Sequence, residues 1–320
     1  MTARAARREQ WFDRCVGRAV LPSVRGMTTS PASAASTLTA TFHVSPYKTV
    51  RDPLPSWDRA QPATWPATTC TLVSGEREAV LVDGLVTEAE SLALTDWIVG
   101  SGKRLTRVYV THGHGDHFLG LGGTLAAFPG ADLVCLPQVA PEAAAQASAG
   151  GRAVWEGIFP GQLPAELVAP GPFDGELEVE GRPLHVVDVG RSDTTPTTVV
   201  HVPDADLVLS GDVAYDGIHP YLAAADAAGR REWLAALDAV ERLGARRVVT
   251  GHRDPGAPDE DAARVLDQTR RYLVDYDEAV AASDSAAELI ARVTARYGHL
   301  GNPYTLHLSA AGAFPAASGA

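Results

Sequence analysis

The stretch Thr111-His112-Gly113-His114-Gly115-Asp116-His117 directly follows a strand-like run, Leu105 to Thr111, in which Val108 and Val110 alternate with Arg107 and Tyr109. Three histidines and an aspartate therefore crowd one strand end. The two glycines carry no Cβ, so the backbone can turn tightly and let the imidazoles converge. Imidazole and carboxylate together suit Zn²⁺, Fe or Mn²⁺ better than Ca²⁺ or Mg²⁺.

Outward from that loop the chain repeats one device: a short apolar strand that ends in a turn carrying a polar residue. Upstream, strands at Thr69–Ser74 and Ala79–Asp83 are joined by a hairpin turn, and the second closes on Asp83-Gly84. Thr87-Glu-Ala-Glu90 reads as a capping box opening a helix to about Val99. A further helix is expected over Phe118 to Phe128, then a strand at Ala131–Leu136. Residues 137–172 are rich in Ala, Gly and Pro. Trp155, Ile158 and Phe159 there either cover the site or pack an insertion on the body. Downstream, strands at Pro183–Val189, Thr197–Val202, Leu207–Ser210 and Arg246–Thr250 lead to Gly190-Arg191-Ser192-Asp193-Thr194, Gly211-Asp212 and Gly251-His252. A helix is expected over Glu232 to Leu243 and another over Asp259 to about Ala282. Ser285-Ala-Ala-Glu288 is a second capping box, for a helix to Tyr297. Strands alternating with helices indicate an α/β fold.

His-x-His-x-Asp-His after a strand resembles the metallo-β-lactamase fold superfamily of hydrolases. The resemblance implies a four-layer αβ/βα sandwich with the metal site at one edge, here with a C-terminal helical extension. It also implies ligands. His112 and His114 would hold a first metal; Asp116, His117 and His252 a second; Asp212 would lie between them. Asp83 would orient a ligand by hydrogen bonding without itself ligating.

One position departs from the pattern. The superfamily supplies another histidine to the first metal from a Gly-His-Ser/Thr turn, and Arg191 stands there. A guanidinium stays protonated and has no lone pair to give. Three readings follow: a single metal, with Arg191 holding an anionic group or an oxyanion; a substitute ligand, Asp193 or His219; or a degenerate site. Tyr215 is a second candidate for stabilising an oxyanion, and Asp116 for orienting a nucleophile and carrying a proton. Trp57 and Trp65, in a proline-rich loop, either wall a substrate pocket or pin the loop.

The expected function is metal-dependent hydrolysis of an ester, lactone or thioester of a small molecule, by hydroxide generated at one or two Zn²⁺. The alternatives are a non-catalytic binding protein and an iron-dependent dioxygenase of the same fold, since these ligands do not separate Fe from Zn.

Bulk properties narrow the partners. The net charge of −12 argues against sequence-independent phosphate binding, so nucleic acid is not an expected partner. No apolar run is long enough to span a membrane. Three widely spaced cysteines, Cys15, Cys70 and Cys135, fit free thiols in a reducing, cytoplasmic setting better than a disulfide framework. Homo-oligomerisation is left open. Residues 1–36, with six arginines and no apolar signal core, are expected as a disordered or loosely docked tail, with Met27 an alternative start. Residues 37–256 are expected to form the main domain, 257–310 a helical extension packed on it, and 311–320 a disordered tail.

Overall fold

A computed structural model describes residues 37–51 and 53–315; the expectation for residues 1–36 lies outside the described residues. Two sheets face each other. The first orders Thr39–Val44, Thr69–Ser74, Glu78–Val82, Arg104–Tyr109, Asp132–Cys135 and Gly171–Pro172. Its first three strands are antiparallel and the rest parallel. The second orders Arg247–Val249, Leu207–Leu209, Thr197–Val202, Arg182–Gly190 and Leu177–Val179, with only the first pair parallel.

Strand alternation decides the layers, because successive side chains leave a strand on opposite faces. Val80, Val82 and Tyr109 from the first sheet meet Val200, Val202 and Leu209 from the second in a core between the sheets. Leu81 and Val108 point the other way, onto Leu94 and Ile98 of helix α1 (Glu88–Gly100). On the far side, Val199 and Val208 pack on Trp233 and Leu237 of a later helix, Ala227–Arg242. The result is the αβ/βα sandwich. Every strand that carries a candidate ligand ends at the same edge, outside the strand carboxyl ends, where open α/β sheets place their ligands.

Helix α1 is capped by the expected box: Thr87 Oγ1 accepts from Glu90 N–H and Glu90 Oε2 accepts from Thr87 N–H. Other boundaries differ from expectation. The helix after the histidine loop, α2, covers only Gly122–Ala127, because Gly115–His117 takes a tight 3₁₀ turn before it. Residues 137–172 hold two helices, α3 (Ala140–Ala147) and α4 (Ala149–Ile158), with Ser148 capping the second by accepting from Gly151 N–H. The helix expected from Glu232, α5, begins at Ala227 because Asp226 caps it.

The C-terminal segment forms α6 (Ala262–Ala281), α7 (Ala286–Tyr297) and α8 (Pro303–Ala313). Val265, Leu266, Tyr272 and Leu273 bury one stripe of α6 in the core over the second sheet. Helix α8 takes in residues 311–313 of the stretch expected to be disordered, and residues 316–320 lie outside the described residues. The helix runs to Ala313 with Ala310 fully buried and Phe314 packed on the core, and Pro303 is pre-set for a first helical turn. Among the described residues, no helix is long and apolar enough to cross a membrane.

Candidate metal centre

His112, His114 and His117 are positioned by the end of strand Arg104–Tyr109, which the opposite sheet grips directly. Thr198 donates its N–H to Thr111 O at 3.0 Å, and its hydroxyl donates to the same oxygen. The turn needs Gly115: a Cβ there would lie 2.5 Å from Leu119 Cδ1 and 2.6 Å from the Trp155 indole nitrogen. Asp212 and His252 come together because their strands, Leu207–Leu209 and Arg247–Val249, are parallel neighbours. Gly251 lets the two turns close, since a Cβ there would lie 2.3 Å from Asp212 Oδ1.

The donor atoms form two adjoining groups, His112/His114/Asp193/Asp212 and Asp116/His117/His252, in each of which the atoms lie within 4.8 Å of one another. Asp212 reaches both. Its Oδ2 is 3.8 Å from His112 Nε2 and 3.2 Å from His252 Nε2, and its Oδ1 is 3.4 Å from His117 Nε2. Asp116 Oδ2 lies 3.3 Å from His252 Nε2, and Asp193 Oδ2 lies 2.9 Å from His114 Nδ1. His112 Nε2, His117 Nε2 and Asp212 Oδ1 are buried without a hydrogen-bond partner. Leaving such atoms unmet costs about 1–3 kcal/mol each, so orphans converging on one space fit divalent cations.

Two of the remaining ring nitrogens are held from behind. His252 Nδ1 faces Ala67 O at 3.0 Å, and His112 Nδ1 faces Thr111 Oγ1 at 3.0 Å. Asp83 accepts from Thr111 N–H and lies 3.4 Å from His117 Nδ1. It therefore sits behind the cluster. Two further donors pin the carboxylates: Trp65 Nε1 donates to Asp116 Oδ2 at 2.8 Å, and Tyr215 OH donates to Asp212 Oδ2 at 3.0 Å.

Charge follows from this crowding. Burial, with His117 beside it, pushes His112 down to about 3. Burial acts the same way on His114 and His252, but nearby carboxylates outweigh it, Asp193 for the one and Asp212 with Asp116 for the other, and both rise to about 9. Burial would raise Asp212, yet His252 and His117 hold it well below the carboxylate range. Imidazoles and carboxylates thus surround one buried space and are candidate ligands for a divalent cation.

The other candidates separate. Arg191, for which an anion- or oxyanion-holding role is the expectation, is turned out of the site. Its Nε donates to Glu232 Oε2 on α5 at 2.9 Å, and its Cδ packs beside Gly229. Tyr215 is fully buried and touches Asp212, a candidate ligand. His219 is 1% exposed and faces Tyr272 OH at 2.8 Å. Trp57 packs edge-on against Tyr304 and His307. Trp65 does line the cavity above the cluster, which has a volume of about 200 Å³. Trp155, which the sequence offers as a cover for the site, lines it too, as do Gln146, Tyr221 and Leu308, which the sequence does not mark as site residues. Gln146 and Leu308 stand on α3 and α8, helices that the sequence pattern does not announce, and Tyr221 stands outside the helices.

The sequence profile of the metallo-beta-lactamase superfamily matches residues 63–252. None of the curated proteins matches the chain. Among solved structures, a metallo-beta-lactamase family protein from Thermus thermophilus is similar at 21% identity and a TM-score of 0.55, over 85% of this chain and 92% of that one. A metallo-beta-lactamase from Pontibacter korlensis is similar at 20% identity and a TM-score of 0.53, over 77% of this chain and 98% of that one. At such identities the likeness shows the fold. The profile match, carrying the histidine loop, Asp212 and His252, shows that the chain belongs to the metallo-beta-lactamase superfamily.

Proposed function

We propose that this protein is a metal-dependent hydrolase of small-molecule esters, lactones or thioesters, with two zinc ions and Asp193 in the place where the resemblance expects a histidine. The observation that carries the reading is the paired donor set, in which each half offers two imidazoles and a carboxylate and shares Asp212. Bound zinc supplies Lewis acidity and brings the pKa of a water it holds to near 7.

The chain's own residues do the rest. Asp116 has one oxygen fixed by the Trp65 indole, so its carboxylate is held in place to orient a nucleophile and to take a proton. Tyr215 keeps Asp212 from rotating through its hydroxyl, and the Asp83 carboxylate lies behind His117, 3.4 Å from its Nδ1. Trp65 and Trp155 offer the substrate an apolar wall beside the cluster. Metal content per chain by plasma mass spectrometry, with ester and lactone turnover, tests the reading; no bound zinc after zinc is offered would sink it. The added carboxylate favours one second reading, an iron enzyme, because two histidines and a carboxylate also suit Fe(II). The same metal analysis decides between them.

Two expected results arise here. Trp65→Phe keeps an aromatic ring, smaller than the indole, and removes the N–H. It should lower kcat about tenfold with metal content unchanged, in the range typical of partners behind a metal ligand; an unaltered rate would remove Trp65 from any positioning role. Metal affinity should also depend on pH. Ligation needs neutral imidazoles, and His114 and His252 hold protons up to about 9. Affinity should therefore rise as pH rises from about 6.5, the ordinary histidine value, toward 9, with protons released on binding. Calorimetry in buffers of different ionisation enthalpy reads that release, and a flat profile would contradict it.

A further inference from the structure

The cavity wall facing the metal cluster is apolar: Trp65, Pro66, Val154, Trp155, Ile158 and Leu308. Both indoles have spent their polar atoms on the protein. Trp65 Nε1 donates to Asp116, and Trp155 Nε1 donates to Gln146 Oε1 at 2.8 Å. They therefore turn carbon surface to the cavity. Neither lysine nor arginine is among the lining residues. The nearby cations are engaged elsewhere: Arg191 with Glu232, Arg152 with the carbonyls of Pro164 and Ala165 and with Glu156, and Lys48 with Glu90.

We infer that the part of the substrate that does not react is uncharged, apolar and compact. A carboxylate, sulfate or phosphate tail placed against this wall, on the side away from His114 and His252, would lose its hydration and meet no counter-ion. At about 200 Å³ the cavity is smaller than the ~300–1,000 Å³ usual for drug-sized ligands, so a short alkyl or single aryl group is the fit. This rests on the hydrolase reading for its chemistry, but the character of the wall stands apart from it.

The test uses zinc-loaded protein and a matched pair, 4-nitrophenyl butyrate and 4-nitrophenyl hydrogen succinate, which has the same chain length but ends in a carboxylate. The expected result is a kcat/KM at least about tenfold lower for the charged ester, carried by KM. Val154 is 64% exposed at the rim, so Val154→Arg is tolerated there and should narrow the gap several-fold. Equal or faster hydrolysis of the succinate ester by the unmodified protein would overturn the inference. Should neither ester turn over, the hydrolase reading fails and binding decides the inference instead. Quenching of tryptophan fluorescence by hexanamide and not by the monoamide of adipic acid would uphold it, and equal quenching by both would overturn it.

Discussion

Asp212→Asn should empty most of the metal centre while leaving the protein folded. Among the described residues, Asp212 is the side chain that reaches both donor groups, with one oxygen near His112 and His252 and the other near His117. An asparagine matches its shape, and its carbonyl oxygen can still accept from Tyr215 OH. What it lacks is the negative charge and the second acceptor. Loss of partners that merely orient ligands costs about 10–100-fold in metal affinity, so loss of a ligand shared by two ions should exceed about 100-fold. Metal content should fall from two per chain to well under one, and esterase activity with it. Circular dichroism should be unchanged, because the substitution keeps the side chain's shape and its contact with Tyr215, and Asp212 is not itself part of the apolar cores. Retention of both metals by the variant would show that Asp212 is a structural acid that happens to lie near histidines.

Much of this centre is legible in the sequence because its parts are local. The histidine loop carries its own spacing and its own glycines. Asp212 and His252 each follow a glycine at a strand end, and parallel pairing brings such ends to one edge. The capping box at Thr87 is likewise a four-residue signal that the structure reproduces. The pocket wall was harder to read. Helices α3 and α4 are built from alanine and glycine, and their apolar face rests on few large residues, such as Trp155 and Ile158, so periodicity gave little to count. Ser148 ends one helix and caps the next, which keeps each helix short. Helix α8 sends Leu308 and Thr305 to the cavity from a segment whose return to the body only tertiary packing specifies. The turn at Arg191 fails to read for another reason: sequence order does not say which side chain a bend turns inward.

Asp193 and Arg191 give the sharpest contrast between neighbours. The turn that holds them is closed by Ser192 N–H donating to Thr194 O, and it follows an irregularity in strand pairing at Asp188/Gly190. Arg191 leaves it toward Glu232 on α5, while Asp193 is 1% exposed and enters the first donor group beside His114. Ser192 Oγ donates to Asp193 Oδ1 at 2.8 Å, so the carboxylate is oriented with its other oxygen toward the cluster. Asp193→Ala should therefore lose one metal of two and most of the activity, by about 100-fold or more on the same reasoning as for a ligand. Arg191→His should neither gain a metal nor change activity beyond about twofold, since a histidine there would face α5 and replace only an exposed ion pair worth about 0–1 kcal/mol. Metal counts on the two purified variants decide the matter. An extra metal in Arg191→His, with Asp193→Ala unchanged, would return the histidine position to residue 191 and make Asp193 a mere partner of His114.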